Sequence, residues 1–333
     1  MIKSEQKLAG NIFDTDIKKV PTRDGFGHGL VEAGKADERV VVLCADLEES
    51  TRAEWFHKEF PKRYIEIGVA EQNLVTIGAG LAAVGKIPFI TSYATFSPGR
   101  NNEQIRTTIA LNNVPVKIVG SHAGISVGPD GATHQALEDI GLMRMLPNMT
   151  VIVPCDTVEA QKATTACAQT PFPTYLRLGR SATPVVTTLE SPFEIGRAEI
   201  LWESDSSTSL PQVALVACGS LVHNALLSAK KLQDEGIGSI VVNNHTVKPM
   251  DEKTITEVAS RCEAVVTIEE HQIAGGMGSA VAEILAQQKP VPIEFIGVYN
   301  QFGQSGTPDE LIKHYRMDVD SIIEAVKKVI SRK

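Results

Sequence analysis

Short runs rich in β-branched residues alternate with helix-like segments along most of this 333-residue chain. The runs are of strand length and almost continuously apolar, which is typical of parallel strands covered by helices on both faces. In the first half, strands are predicted at 39–46, 88–95, 114–122, 149–155 and 173–179, and helices at 24–36, 70–85, 99–113 and 157–169. The alternation therefore predicts an α/β fold built on an open parallel sheet.

The alternation stops at 181–212, where Pro, Ser and Thr cluster around one strand-like run at 193–203. This composition indicates a linker that leads into an edge strand. A second, smaller set of alternating strands and helices follows it. We therefore predict two open parallel-sheet domains, divided as an N-terminal extension (1–19), a first domain (20–180), a linker (181–196) and a second domain (197–333).

The overall charge limits the classes of partner. The net charge is −8 and the isoelectric point is near 5.6, which argues against broad binding to nucleic acid or to an anionic membrane. No apolar run approaches the roughly 20 residues of a membrane span, and the first residues lack the apolar core of a signal peptide. The five scattered cysteines are expected to be small buried hydrophobes in a reducing compartment. We expect a cytoplasmic protein.

One acidic residue, Glu71, stands among small and apolar residues in the stretch IEIGVAEQNLVTIGAGLAAVG (65–85). No Lys or Arg lies three or four residues away to pair with it along a helix. It could be an N-terminal helix carboxylate, which the helix dipole favours by roughly 0.3–1 kcal/mol. It could also be an acid that shares a proton with a ligand nitrogen. The residues around Glu71 leave both interpretations open.

A glycine-rich segment, GSHAGISVGPDGATHQALED (120–139), lies between a predicted strand end and a helix. It holds His122, Asp130 and His134 in a position where open α/β sheets bind substrates. The glycines allow a ligand to approach the backbone closely. A long crossover whose histidines cap turns is the alternative. No H-x-x-x-H spacing or nearby cysteine indicates zinc.

Several stretches together identify a family resemblance: GVAEQ, YATFSPGR, DGATHQALED, LRLGR and QFGQSGTPDEL. The chain resembles the C-terminal half of transketolase from about residue 20 to 333. That half comprises the pyrimidine-binding domain for thiamine diphosphate and a smaller C-terminal α/β domain. The most specific match is DGATHQ followed by MRMLPNMTVIVPCDTVEA.

The resemblance implies a role for Glu71. In this family the matching acid hydrogen-bonds N1′ of the aminopyrimidine of thiamine diphosphate, and an acid in an apolar pocket suits this role. Phe96 matches the aromatic residue that stacks on the pyrimidine. Tyr93 and Arg100, in the same YATFSPGR stretch, are expected to bind the cofactor as well.

The resemblance also implies a substrate site. His134 and Asp130 match positions that contact the sugar hydroxyls, and His134 is expected to assist proton transfer. His122 matches a position lining the substrate channel. The residues expected to hold the sugar phosphate are Arg23, Ser50, His122 and Arg177.

Three departures from the family pattern stand out. Ala70 and Gln72 flank Glu71 where full-length transketolases have Arg and His, and Gly99 and Asn102 replace two aromatic residues near the pyrimidine. The Gly-Asp-Gly motif and following Asn that hold Mg²⁺ and the diphosphate are also missing.

The chain is therefore expected to be the C-terminal subunit of a split transketolase of the pentose phosphate pathway. It would transfer a two-carbon ketol unit from a ketose phosphate to an aldose phosphate. An N-terminal partner subunit would carry the diphosphate-binding domain and Mg²⁺, in a heterotetramer of two plus two, and activity would require that partner.

Two other interpretations of the function remain open. AEQ and YATF also resemble deoxyxylulose-phosphate synthase, and the β subunit of a 2-oxo acid dehydrogenase shares the acid; neither predicts the same hold on a phosphosugar. The chain could also be a non-catalytic homologue, in which case replacing Glu71 would have no measurable effect. The segment TIEEHQIAGGMG (267–278) is interpreted as a strand-to-helix turn at a subunit interface.

Overall fold

The computed structural model describes residues 1–205 and 211–332. Its strands are β1 (Lys19–Pro21), β2 (Val40–Cys44), β3 (Tyr64–Glu66), β4 (Ile87–Tyr93), β5 (Lys117–Ser121), β6 (Thr150–Ile152), β7 (Thr174–Arg177), β8 (Ala182–Pro184), β9 (Glu199–Glu203), β10 (Pro211–Ala217), β11 (Gly238–Asn243), β12 (Thr246–Lys248), β13 (Val265–Gln272) and β14 (Ile293–Val298). Its helices are α1 (Thr22–Ala36), α2 (Glu48–Thr51), α3 (Ala53–Glu59), α4 (Glu71–Ala83), α5 (Asn102–Gln104), α6 (Asp139–Arg144), α7 (Thr157–Ala168), α8 (Val222–Asp234), α9 (Glu252–Cys262), α10 (Met277–Gln288), α11 (Pro308–His314) and α12 (Val319–Ile330).

The first sheet has the strand order β12-β6-β7-β5-β4-β2-β3. Its strands are parallel except β12, which pairs antiparallel with β6. The predicted parallel sheet is confirmed, and the central strands β2 and β5 are buried along their whole length. Strand β12 comes from the second half of the chain, so that half completes the edge of the first sheet.

The second sheet has the order β14-β13-β10-β11-β9, with parallel pairing except at β9. Strand β9 is an antiparallel edge strand, which confirms the edge predicted from the run at 193–203. That strand is shorter than the run, because residues 193–198 precede the ladder with β11.

The predicted helix at 99–113 is only partly present. The structure has the short α5 followed by a π-helix, Ile105–Ala110. The apolar spacing that suggested a helix survives, since Ile105, Ile109 and Ala110 face the core. π-Helical turns are uncommon and often occur near functional sites.

The N-terminal segment packs on the second sheet. Ile12 and Ile17 are buried in the core that surrounds that sheet, and the ring of Phe13 meets that of Trp202 edge to face at 5.8 Å. The segment then enters β1, which pairs with β8 from the predicted linker. The predicted N-terminal extension thus packs on the second sheet before the chain enters the first domain.

The five cysteines are all buried, as expected of small apolar side chains. Within the described residues, no helix has both the length and the apolar character needed to cross a membrane.

Candidate active site

The candidate site lies where the parallel strands of the first sheet end. Tyr93 ends β4, His122 follows β5, and Ser50 lies in α2, after β2. Arg23 lies in the first turn of α1. The carboxyl ends of parallel strands meet at one edge, which is how residues distant in sequence come together here.

Arg23 and His122 form the polar centre of the cluster. The Arg23 Nη1 atom donates to the main-chain carbonyl of Ser50 at 2.8 Å and lies 3.3 Å from Nε2 of His122. Because a guanidinium can only donate, Nε2 must accept, and the ring proton then sits on Nδ1, which faces Ser121 Oγ at 2.9 Å. The structure thus brings three predicted residues together, with Ser50 contributing its carbonyl.

His122 is held in an unusual backbone conformation. Its φ is +55°, in the left-handed region, and its side chain is only 2% exposed. Its ring stacks on Tyr93, with centroids 3.9 Å apart. Burial, together with nearby Arg23 and Arg180, lowers the pKa of His122 to about 3. The imidazole is therefore neutral at physiological pH and can act as an oriented hydrogen-bonding group.

Phe96 and His134 extend the same aromatic group. Their rings meet edge to face at 5.4 Å, and Tyr93 lies 5.9 Å from Phe96 and 6.0 Å from His134. His134 Nδ1 is 2.9 Å from Thr133 Oγ1. Both side chains are half-buried, so the group presents aromatic and imidazole surface to a ligand.

Glu71 begins α4 and is 5% exposed. Its main-chain carbonyl accepts from Asn101 Nδ2 at 2.9 Å, and the same amide contacts Ser97 Oγ at 3.1 Å. Segment 93–101, which contains Phe96, is thereby tied to the start of α4. Within the described residues the Glu71 carboxylate accepts no hydrogen bond, so its oxygens remain available to a ligand.

The expectation that Arg177 binds a sugar phosphate stays a prediction, and most of the guanidinium is engaged by groups of the protein itself. Its Nε and Nη2 atoms pair with Asp139 at 2.7 and 3.1 Å, and Nη2 also donates to the carbonyls of Ala136 and Glu270. Both charged side chains are buried. The last residue of β7 therefore directs its guanidinium into the protein, where Asp139 neutralises it.

Arg180, three residues further along, lies beside the cluster instead. It is half-buried, donates to the Val127 carbonyl at 2.9 Å, and is close enough to lower the pKa of both Arg23 and His122. It lies in the same LRLGR stretch as Arg177. The two differ in their surroundings, since Arg177 is buried against Asp139 and Arg180 is half-buried near Arg23.

A third guanidinium, that of Arg52, also lies near Arg23, but it is paired with Asp24 at 2.7 Å. Burial lowers the pKa of Arg23, and among the described residues its buried Nε atom has no hydrogen-bond partner. The cations therefore exceed the carboxylates at this position. Such a concentration of donors suits a small anion.

Asp130 and Arg100 are both exposed. Asp130 lies on the glycine-rich loop four residues before His134, and the main-chain nitrogen of Arg100 donates to the Phe96 carbonyl. Their predicted contacts with sugar hydroxyls and with the cofactor stay predictions. Gly99 has no room for an aromatic residue, since a Cβ there would lie 2.1 Å from the Thr95 carbonyl oxygen.

Family models match both parts of the chain. Residues 18–186 match the transketolase pyrimidine-binding domain and residues 205–322 match the transketolase C-terminal domain. The chain belongs to the transketolase family.

Relatives of similar length support this membership. A Methanocaldococcus jannaschii protein assigned as a transketolase C-terminal section is 41% identical over 93% of this chain and 96% of its own length. The 6-deoxy-6-sulfo-D-fructose transketolase subunit SqwH of Clostridium sp. (strain MSTE9) is 36% identical, over 96% of this chain and 98% of its own. A solved structure of a split gene transketolase, described as an inactive β4 tetramer, has 42% identity and a TM-score of 0.86, covering 94% of this chain and 99% of that one.

Proposed function

We propose that this chain is the C-terminal subunit of a split, thiamine diphosphate-dependent transketolase that moves a two-carbon ketol unit from a ketose phosphate to an aldose phosphate. One observation carries the proposal. Segment 93–101 joins the Glu71 helix to the aromatic, imidazole and guanidinium groups at the ends of the strands.

The residues present fit the pyrimidine end of the cofactor. Within the described residues the Glu71 carboxylate has no hydrogen-bond partner, and Phe96 offers a half-buried aromatic face on the segment tied to the start of α4. When bound, thiamine diphosphate would supply the electron sink for the ketol unit. Glu71 would hold a proton at a pyrimidine nitrogen, and the apolar side chains around it would exclude water.

Arg23, Arg180 and neutral His122 support an anionic sugar as substrate. Fixed guanidinium donors suit the oxygen atoms of a phosphate, and the cation excess around Arg23 favours a charged end. This favours a phosphosugar over pyruvate, the donor of the synthase alternative. A sulfonate would present a similar oxygen surface, and the sulfo-fructose relative makes it a substrate to include in the assay.

A partner surface supports the split arrangement. The exposed face of α4 runs from Gln72 to Val84 without a charged residue, and Val69 and Val84 are 77% and 76% exposed. Apolar exposed surface of this kind typically marks protein contacts. We propose that an N-terminal subunit bearing the diphosphate and Mg²⁺ site covers this face, in a cytoplasmic assembly of two plus two that alone is active in pentose phosphate exchange.

The test is reconstitution with an N-terminal transketolase subunit from the same genome. Ketol transfer is measured for each chain alone, for the complex, and for the complex with Glu71→Gln. We expect activity only in the complex, and a loss of at least about tenfold, or about 1.4 kcal/mol of barrier, for Glu71→Gln. The exposed Glu103→Gln serves as a matched control. Near-wild-type turnover of Glu71→Gln would reject the proposed role of the acid.

A further inference from the structure

The end of β13 carries Glu269, Glu270 and His271 from the C-terminal domain to the first domain. Of these, Glu270 contacts residues 122–136, which we call the substrate loop because it holds His122 and His134. Glu270 is 6% exposed. None of the residues assigned above to cofactor or sugar comes from the C-terminal domain. Direct ligand binding therefore does not explain the contact between this domain and the substrate loop.

The Glu270 carboxylate makes close contact with the loop backbone. Its Oε1 accepts a short hydrogen bond from the Ser126 main-chain nitrogen, and its Oε2 accepts from Ser220 Oγ at 2.9 Å. At Gly124, whose φ is +88°, a Cβ would lie 2.5 Å from Glu270 Oε1. The loop is thus shaped to receive this carboxylate.

A second contact holds the other end of the loop. The Gln135 side chain donates from Nε2 to the carbonyl of Gln304 at 3.0 Å, as well as to Ile125 and Gly128 within the loop. Gly303 packs so closely that a Cβ there would lie 1.8 Å from Gln135 Oε1. The C-terminal domain therefore contacts the loop near both of its ends, at Ser126 and at Gln135.

The loop needs external support. Gly124, Gly128 and Gly131 all have positive φ, and glycine loses more conformational freedom on ordering than any other residue. His122 also sits in the left-handed region, which costs of order 1–3 kcal/mol unless the surroundings fix it. A carboxylate that binds the Ser126 amide supplies such fixation.

We propose that Glu270 is a positioning residue that fixes the substrate loop, so that His122 and His134 meet the sugar in the correct geometry. The inference rests on the proposed function and gives the C-terminal domain a part in it. Glu270 acts through the Ser126 amide and does not itself touch substrate. Loss of its carboxylate should weaken sugar binding while leaving cofactor binding at Glu71 and Phe96 unchanged.

Hydrogen exchange in the full chain tests the fixation without any assay of activity. We expect the amides of 122–131 to exchange about tenfold faster or more in Glu270→Ala. Glu270→Gln, whose amide oxygen can still accept from Ser126, should stay close to wild type. Glu269→Ala is the matched control, because the Glu269 carboxylate is equally buried but binds the Met277 and Gly278 amides at the start of α10.

The kinetic arm uses the reconstituted complex. We expect Glu270→Ala to raise KM for the phosphosugar by about fivefold or more, with the thiamine diphosphate Kd within about twofold of wild type. Glu270→Gln should keep KM close to the wild-type value. Glu269→Ala should lower thermal stability but leave KM unchanged. Should Glu270→Ala fail to fold, Ser220→Ala, which frees Oε2 alone, should shift exchange and KM in the same direction by a smaller factor.

Unchanged loop exchange in Glu270→Ala would overturn the fixation. Faster exchange with an unchanged KM would overturn the positioning role. A wild-type complex without ketol transfer would instead reject the proposed function, and the exchange result would still decide whether Glu270 holds the loop.

Discussion

Arg23 Nη1 lies 3.3 Å from Nε2 of His122 while it also donates to the Ser50 carbonyl. The guanidinium beside the imidazole, added to burial, is what keeps His122 neutral. A neutral ring with Nε2 turned to Arg23 orients that cation toward the site. The pair therefore joins the aromatic surface to the cationic one.

Arg23 and Arg180 should govern sugar affinity. Replacing Arg180 with Ala should raise KM for a phosphosugar by about tenfold or more, because a charge-assisted hydrogen bond contributes about 1.5–3 kcal/mol. Arg23→Ala should act in the same direction and also release His122. Steady-state kinetics of the complex provide the measurement. Arg197→Ala, a surface control paired with Glu194, should leave KM unchanged, and an unchanged KM for Arg180→Ala would reject the anion site.

Phe96 should support cofactor binding. Removing its ring with Phe96→Ala should weaken thiamine diphosphate binding to the complex by about tenfold, since an aromatic contact contributes about 0.5–1.5 kcal/mol beyond its buried area. Isothermal titration of the complex with cofactor measures the change. Phe172→Ala is the control, because Phe172 is half-exposed and precedes β7, at the opposite end of that strand from the site. Equal Kd values for the two variants would count against stacking on Phe96.

The Asp139–Arg177 pair should stabilise the fold. Both groups are buried, and Tyr175 also donates to Asp139 at 2.6 Å. Asp139→Ala should lower the free energy of unfolding by about 3–5 kcal/mol, because it leaves a buried guanidinium without its partner. Urea denaturation of the isolated chain is the measurement. Glu194→Ala, from an exposed pair, should cost at most about 1 kcal/mol, and a similarly small loss at Asp139 would contradict the buried-pair argument.

Glu159 should make stability depend on pH. It is buried, and burial together with Asp156 raises its pKa to about 7 from an ordinary value of 4.5. Between those values the folded chain holds a proton that the unfolded chain has lost. This group therefore makes the free energy of unfolding fall as pH rises through that window, by at most about 1.4 kcal/mol per pH unit.

Glu159→Gln isolates that contribution from other groups. The buried His245, whose pKa burial lowers to about 4, contributes with the opposite sign between its folded value and its ordinary value of 6.5. Urea denaturation measures the free energy of unfolding of wild type minus that of Glu159→Gln. This difference should fall from pH 5 to pH 7, by at most about 1.4 kcal/mol per pH unit. The exposed Glu190→Gln should track wild type. A flat difference would mean that Glu159 is ionised throughout.

Much of the fold follows from local pattern. Apolar strand runs such as 39–46 and 88–95 became β2 and β4 because a strand buried on both faces needs apolar residues at every position. The edge position of β9 could also be predicted, from the polar and Pro-rich segment before it. The pairing of β12 with β6 could not be predicted, because it depends on where the second half of the chain packs against the first.

The candidate site divides in the same way. Glu71, Phe96, His122 and His134 could be selected from the sequence because each stands in a distinctive motif. Arg177 and Arg180 could not be told apart, because both lie in LRLGR and differ only in what surrounds them. The role of Glu270 was hidden for a similar reason, since its partner Ser126 is 144 residues away.

The sequence by itself determined the class of fold, the family and the motif residues, because these depend on periodicity and on residue types close together in the chain. The tertiary structure decided which charges are satisfied. It buried Arg177 against Asp139, left Arg180 beside Arg23, and set Glu270 against the substrate loop. Those outcomes depend on desolvation and on contacts between distant segments, which become definite only when the two sheets are packed together.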